Sequence, residues 1–294
     1  MKNPSLYQTI QRFQKDTKNA IGYQIAFATV LGILVVLAAS PVLAQVSGKP
    51  SSPQTTAVVS PRQHAPMRLH RLVPGGAESE NWSGYVVTGS GFTDAKASWH
   101  VPEVNCSKTP NTQSAFWVGL DGWTDGTVEQ NGTDSDCSGT TPVYYAWYEF
   151  FPAAPVLISD VPVSPGDVIS AEVSYNGSEF TLYIKNETTG KSHGRSKAVP
   201  GAQRSSAEWI AEAPGSSGGG ILPLTDFGKA NFGEDKTGIG GTNYATDSST
   251  SGPISAFGSS IEEVTMVSSK NVVEAVPTSL TSDGTSFTIA WKSE

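Results

Sequence analysis

Histidine and cysteine are scarce in this 294-residue chain, which has four of the first and two of the second. The scarcity removes most hydrolytic chemistries. His64, His70, His100 and His193 lack the paired His-Glu-x-x-His spacing, and neither cysteine has a histidine near it, so no metal site and no cofactor is expected. Serine and cysteine nucleophiles need a neighbouring base, and no convincing set is present. The stretch "GSSGG" at Gly215 to Gly219 spells G-x-S-x-G, but no helix signal follows and the last histidine lies upstream, so it reads as a loop. The tripeptide Asp-Thr/Ser-Gly of two-aspartate catalysts is absent. In an exported chain the default for Cys106 and Cys137 is one disulfide.

Acidic residues are almost missing from the first quarter of the chain: only Asp16 precedes Ala77, against eight lysines and arginines. Within that quarter Lys2, Arg12, Lys15 and Lys18 precede the apolar run "IAFATVLGILVVLAA", and "PVLAQ" follows. This is the layout of an export signal over residues 1–44 cleaved after Ala44, with an uncleaved anchor as the alternative. Residues 45–76 are rich in Pro, Ser and Gln without periodicity and read as a basic, disordered pro-segment or spacer. Residues 77–294 carry 11 bases and 26 acids, a net charge of −15 that disfavours nucleic acid as a partner. The spacer's Arg62, Arg68 and Arg71 are expected to latch onto this acidic domain and to be released by acid, with cleavage near "RLVPGGAES". The expected product is a secreted monomer that leaves the membrane once the signal is removed.

Helical periodicity is also lacking. Short runs such as "GYVVTG", "KASWHVP", "SAFWVGL", "YYAWYEFFP", "DVISAEVSY", "EFTLYIKN", "SAEWIAE", "IEEVTMV" and "SFTIAWK" read as strands. Asn176-Gly177 and "NETTGK" mark hairpin turns. Many antiparallel strands in 218 residues imply an all-β fold of two packed sheets, a sandwich or jelly roll.

With metals, nucleophiles and paired aspartates excluded, carboxylates acting on water remain. In "SAEWIAEAP" strand alternation puts Glu208, Ile210 and Glu212 on one face, with the two carboxylates about 13 Å apart. That distance is too great for shared chemistry, and Glu208 reads as a solvated or pocket-rim residue. Three functions fit. Glu149 and Glu212 could flank a sugar bond as in a jelly-roll glycosidase. One glutamate could work with an amide donor on a peptide bond. The aromatics could bind sugar in a non-catalytic, lectin-like sandwich.

The motifs "ENWSGYVV", "FWVGLDG", "VEQNGTD", "AWYEFFP", "SAEWIAEAP" and "LPLTDFG" occur in an order and at spacings that closely resemble the glutamic peptidases, the eqolisins of family G1. The resemblance implies a concanavalin A-like β-sandwich of two antiparallel sheets, secretion as a zymogen and endopeptidase activity on polypeptides at acid pH. By motif matching it implies Gln130 and Glu212 as the catalytic pair. Trp82, Trp117, Asp121, Trp147 and Glu149 then become candidates for substrate contact or support. For the tryptophans the competing reading is ordinary core. For Asp121 it is a turn cap, and for Gln130 alone a surface loop.

Overall fold

The structure is a computed structural model that describes residues 62–294. The export signal and the spacer up to position 61 lie outside the described residues. Among the described residues the chain forms β1 (Leu69–Val73), β2 (Gly76–Ser79), β3 (Trp82–Thr88), β4 (Asp94–His100), β5 (Ala115–Leu120) and β6 (Val128–Ser138). It continues through β7 (Thr141–Phe151), β8 (Val156–Ile158), β9 (Val168–Tyr175), β10 (Phe180–Asn186), β11 (Lys191–Lys197) and β12 (Ser206–Glu212). After these come β13 (Lys229–Phe232), the single turn α1 (Glu234–Thr237), β14 (Tyr244–Thr246) and β15 (Ser251–Pro253). A 3₁₀ segment (Ile254–Ser260) leads into β16 (Ile261–Val267), β17 (Val273–Pro277) and β18 (Phe287–Trp291).

Pairing organises these strands into two layers. The front sheet runs β8-β7-β6-β5-β12-β3-β16-β2-β1. The back sheet is built on β11-β10-β9-β4, which continues through β13 to β18 and β17, while β14 also pairs with β4 and carries β15 on its other edge. A short β16–β17 ladder joins the layers along one side. All pairs are antiparallel except β2 with β16, so the expected sandwich of antiparallel sheets carries one parallel seam. The hairpin turns at Asn176-Gly177 and after Asn186 separate β9, β10 and β11, as the turn chemistry requires.

Alternation along β12 shows how the layers are held. Ala207, Trp209 and Ala211 face the inter-sheet core with Trp99, Phe116, Ile169 and Phe232. Ile210 packs on the opposite face with Trp82, Trp117, Val128 and Trp147. The layers are stitched by two indoles: Trp209 Nε1 donates to the Lys96 carbonyl at 2.8 Å, and Trp99 Nε1 to Thr133 Oγ1 at 3.0 Å. Each such buried tryptophan contributes roughly 4–6 kcal/mol of gross burial free energy. Cys106 and Cys137 form the expected disulfide, which ties the loop after β4 to the end of β6. Closing a loop of that length stabilises the fold by about 3–4 kcal/mol in the chain-entropy account.

Two differences from the sequence reading bear on function. Residues 62–76, read as part of a disordered spacer, are ordered here: β1 pairs with β2, and β2 with β16. Their partners sit far along the chain, so local composition carries no trace of them. Strand β6, "VEQNGTDSDCS", has almost no apolar residues, yet ten of its eleven residues are buried. Ladders with β5 and β7 satisfy its backbone on both edges, and this tertiary setting overrides its weak strand propensity.

Candidate active site

Three cross-strand rows on the outer face of the front sheet define the site. One row is Glu212 (β12), Ala115 (β5), Asp134 (β6) and Tyr145 (β7); the next is Ile210, Trp117, Gly132 and Trp147; the third is Glu208, Gly119, Gln130 and Glu149. Gly132 is required in the middle row because a Cβ there would lie 2.3 Å from the Phe116 carbonyl and 2.6 Å from the Trp117 Cβ. Its absence lets the Trp117 and Trp147 indoles flank a shallow floor.

Each indole orients a carboxyl group. Trp117 Nε1 donates to Glu212 Oε2 at 2.9 Å and Trp147 Nε1 to Asp134 Oδ1 at 2.6 Å. The Tyr145 hydroxyl lies 2.6 Å from Asp134 Oδ2 and 2.9 Å from Asp136 Oδ2. A phenol has one proton, so one of these two acids must donate in return and is therefore protonated. Gln130 Nε2 donates to Glu149 Oε2 at 3.2 Å, while Gln130 Oε1 has no partner within the protein.

The cleft is occupied by the chain itself. Residues 62–68, "RQHAPMR", cross the floor in extended form. Gln130 Nε2 donates to the His64 carbonyl at 2.5 Å, and the next backbone group, the Ala65 N–H, donates to Glu212 Oε1 at 3.1 Å. The His64 N–H donates to Glu149 Oε2 at 3.0 Å. The His64 ring stacks on Trp147 with centroids 3.5 Å apart and planes within 3°. Its Nδ1 lies 3.3 Å from Glu212 Oε2 and its Nε2 3.8 Å from Asp134 Oδ1.

Backbone clamps hold the segment on both sides. Before His64, Gln63 exchanges two hydrogen bonds with Gly215, and Arg62 reaches Asp136 at 3.7 Å. After it, Trp82 Nε1 donates to the Ala65 carbonyl, Asn81 Nδ2 to that of Pro66, and Met67 N–H to that of Gly122.

Burial sets the electrostatics. Desolvation, and then the neighbouring Glu149, hold the Glu212 carboxyl well above its ordinary range; Glu149 itself is pushed to about 9, mainly by burial. Asp134 is raised well above its usual value by burial and then by Asp136, whereas Asp136 reaches only about 6 because Tyr145 and Arg62 oppose its desolvation. The same desolvation lowers His64 well below the usual histidine value, with Arg62 adding to it. At acid pH the cluster is thus largely protonated, which removes the repulsion that four ionised carboxylates at these distances would create.

Gln130, Glu212, Glu149, Trp82, Trp117 and Trp147 come together in this cleft. Asp121 does not: its carboxylate accepts backbone N–H bonds from Gln203, Arg204 and Ser205 at 2.7 to 2.9 Å, fixing the approach to β12. That is a capping role, on a different loop from the one its own turn suggested. Glu208 is neither solvated nor at a rim, because it is fully buried and both its oxygens lack protein partners. Strand β12 is internal to the sheet, paired with β3 on one edge and β5 on the other. The sequence reading missed His64, Asp134, Asp136 and Tyr145. Asp134 and Asp136 sit at i, i+2 and would have been found had β6 been read as a strand; nothing local marks His64.

Comparison with known proteins places this geometry in context. A family model described as the Peptidase A4 family matches residues 80–276. Aspergillopepsin-2 of Aspergillus niger is 30% identical over 211 residues, 64% of this chain and 74% of that protein. Scytalidopepsin B of Scytalidium lignicola is 32% identical over 137 residues, 45% of this chain and about half (51%) of that protein. Among solved structures, scytalido-glutamic peptidase with a transition state analog inhibitor superposes with a TM-score of 0.60 at 23% identity, covering 72% of this chain and 98% of that one. Aspergilloglutamic peptidase from Aspergillus niger gives 0.50 at 26% identity, covering 62% and 99%.

Proposed function

Since the chain belongs to the Peptidase A4 family and is a glutamic-type peptidase, a hydrolase of peptide bonds, we propose that it is an acid endopeptidase in which Glu212 handles protons and Gln130 the developing oxyanion. The observation that carries this reading is the contact of one peptide bond with both residues: the His64 carbonyl accepts from Gln130 and the Ala65 N–H donates to Glu212. A substrate bond held in that way has its carbonyl polarised by a donor that cannot titrate and its nitrogen facing a carboxyl group.

Glu212, once ionised, takes a proton from a water attacking the carbonyl carbon and delivers it to the departing nitrogen, which it already touches. Gln130 Nε2 strengthens its bond as charge develops on the oxygen, and the unpartnered Oε1 is available to orient the water. Glu149 binds the backbone N–H on the acyl side, and Trp117 holds the Glu212 carboxyl in place. Trp82 and Trp147 are the substrate-binding aromatics in this reading. Clamping of backbone on both sides of the bond favours an endopeptidase over an exopeptidase. It also favours a peptide over a sugar, since Glu149 and Glu212 each accept from a main-chain N–H.

The mechanism calls for one ionised carboxyl, Glu212, among protonated neighbours, a state that acid pH favours over the multiply ionised one of higher pH. The proposal includes export directed by residues 1–44 and action as a monomer on polypeptides. Among the described residues no helix is long and apolar enough to cross a membrane. The test is hydrolysis of denatured casein and of β-glucans by the purified chain at acid and neutral pH. Casein cleavage confined to acid pH, insensitive to inhibitors of two-aspartate enzymes, is expected; glucan cleavage would overturn the reading.

A further inference from the structure

Resting on the dyad reading above, we propose that the peptide bond between His64 and Ala65 is the chain's own processing site. The first substrate of the cleft is the segment that already lies in it.

Orientation is the first argument. The two groups of this one bond meet the two dyad residues in the sense hydrolysis requires, carbonyl to Gln130 and nitrogen to Glu212. A purely obstructive strap has no reason to present a bond in that register. Anchorage is the second. The Gln63–Gly215 bridge and the Arg62–Asp136 contact hold one side, and Trp82, Asn81 and Gly122 hold the other, so the bond is kept at the dyad. An intramolecular substrate held in place needs no diffusional encounter.

Fit is the third. The imidazole of His64 is flat enough to lie on Trp147 and has two ring nitrogens, one turned to Glu212 and one to Asp134. Only one percent of its surface is exposed. Burying a polar ring so completely is unfavourable unless its nitrogens find partners; Nδ1 has one in Glu212 at 3.3 Å, and Nε2 faces Asp134 at 3.8 Å, beyond hydrogen-bond reach.

The step balances as ordinary hydrolysis. The His64 carbon gains the hydroxyl of water, its bond to the Ala65 nitrogen breaks, and that nitrogen gains the proton. The two products have different fates. The piece beginning at Ala65 remains part of the domain through β1. The piece ending at His64 is no longer covalently attached and is held by non-covalent contacts alone: the Trp147 stack, the Gly215 bridge, Arg62, and the bonds of His64 to Gln130, Glu149 and Glu212. Without the covalent tether it is free to dissociate, and its departure opens the cleft. The site differs from the expected cleavage near "RLVPGGAES", which corresponds to the β1–β2 hairpin, where Leu72 and Val73 lie opposite Ala77 and Gly76 in the ladder.

The experiment follows the full chain, with Glu212→Gln and His64→Asp variants, through incubation at acid pH by intact mass and N-terminal sequencing. A new N-terminus reading Ala65-Pro66-Met67 is expected. It should be absent from Glu212→Gln and slowed at least about tenfold in His64→Asp, which removes the ring stacked on Trp147 and its contact with Glu212. Because His64→Asp could impair folding, a synthetic peptide spanning Arg62 to Val73 is also given to the acid-treated native enzyme, with cleavage between His64 and Ala65 expected. A mature enzyme that begins elsewhere, or a chain that hydrolyses casein with the His64–Ala65 bond intact, would overturn the processing site and leave the dyad standing. Undiminished casein hydrolysis by Glu212→Gln would bring down the dyad, and the processing site with it.

Discussion

Two groups of buried carboxyls lie on the same sheet, and they differ in what surrounds them. Around Glu212, the acids Glu149, Asp134 and Asp136 each contact an indole, an amide, a phenol or a backbone N–H. Toward the other end of β12, Glu208 and Glu129 are just as buried, and their four carboxyl oxygens have no protein partner. Burial raises the proton affinity of both groups, Glu129 to about 9 and Glu208 well above its usual value. A displaced titration therefore does not distinguish a catalytic carboxyl from an inert one here; the donors arranged around it do.

The sharpest way to break this comparison is Glu212→Gln, which keeps shape and removes the proton acceptor. Peptide hydrolysis should fall by on the order of 10⁴-fold with folding intact, measured as kcat on a soluble peptide beside a circular dichroism spectrum. A loss of only a few fold would make the two groups equivalent. Next comes Gln130→Ala, for which kcat should drop on the order of 10² to 10³-fold, as when an oxyanion donor is deleted. Full activity in that variant would return Gln130 to the status of a buried structural amide.

Glu149→Gln should be milder, about tenfold, and expressed mainly in KM, because an amide with two N–H donors of its own replaces the carboxyl that accepts a substrate N–H. Smallest in activity are Glu208→Gln and Glu129→Gln, both expected within about twofold of native, since neither residue touches the occupied cleft.

Those last two variants sharpen the comparison through stability instead. With a folded-state value of about 9 against 4.5 unfolded, Glu129 is protonated in both states below pH 4.5 and has no effect there. From pH 4.5 to about 9 the unfolded chain releases the proton while the folded one keeps it, so stability falls as pH rises. By about pH 7 this group alone costs on the order of 3 kcal/mol. Glu129→Gln should therefore raise the urea midpoint at neutral pH and leave it unchanged at acid pH. An equal shift at both would show that the carboxyl is not desolvated as its burial implies.

How much of this was legible in the sequence depends on where each residue's partners lie. Strands such as "SAFWVGL" and "SAEWIAE" announce themselves because their alternation and bulky side chains reflect their own burial. The pairing of Gln130 with Glu212 was reachable only through a family resemblance, since nothing in "VEQNGTD" marks its amide as buried. Its strand is polar on both faces, and neighbours from β5 and β7 supply the burial. Glu208 was misjudged for the same reason: alternation gives the face but not whether that face is covered. His64 was invisible because its significance comes entirely from a cleft assembled by residues 82–212, and a basic, proline-rich stretch reads as spacer whether or not a groove awaits it.

The parallel seam between β2 and β16 has a consequence for how the chain is made. Strand β2 emerges in synthesis long before its hydrogen-bonding partner at Glu263 to Met266. Contacts between such distant stretches are slow to form, because a large loop must close before any bond compensates for it. The N-terminal strands cannot complete their ladder until β16 has been made, and a chain interrupted before Ile261 would leave both β1 and β2 without their anchor. Synthesis of β16 thus becomes the event that seats the β1–β2 hairpin, which follows directly on residues 62–68.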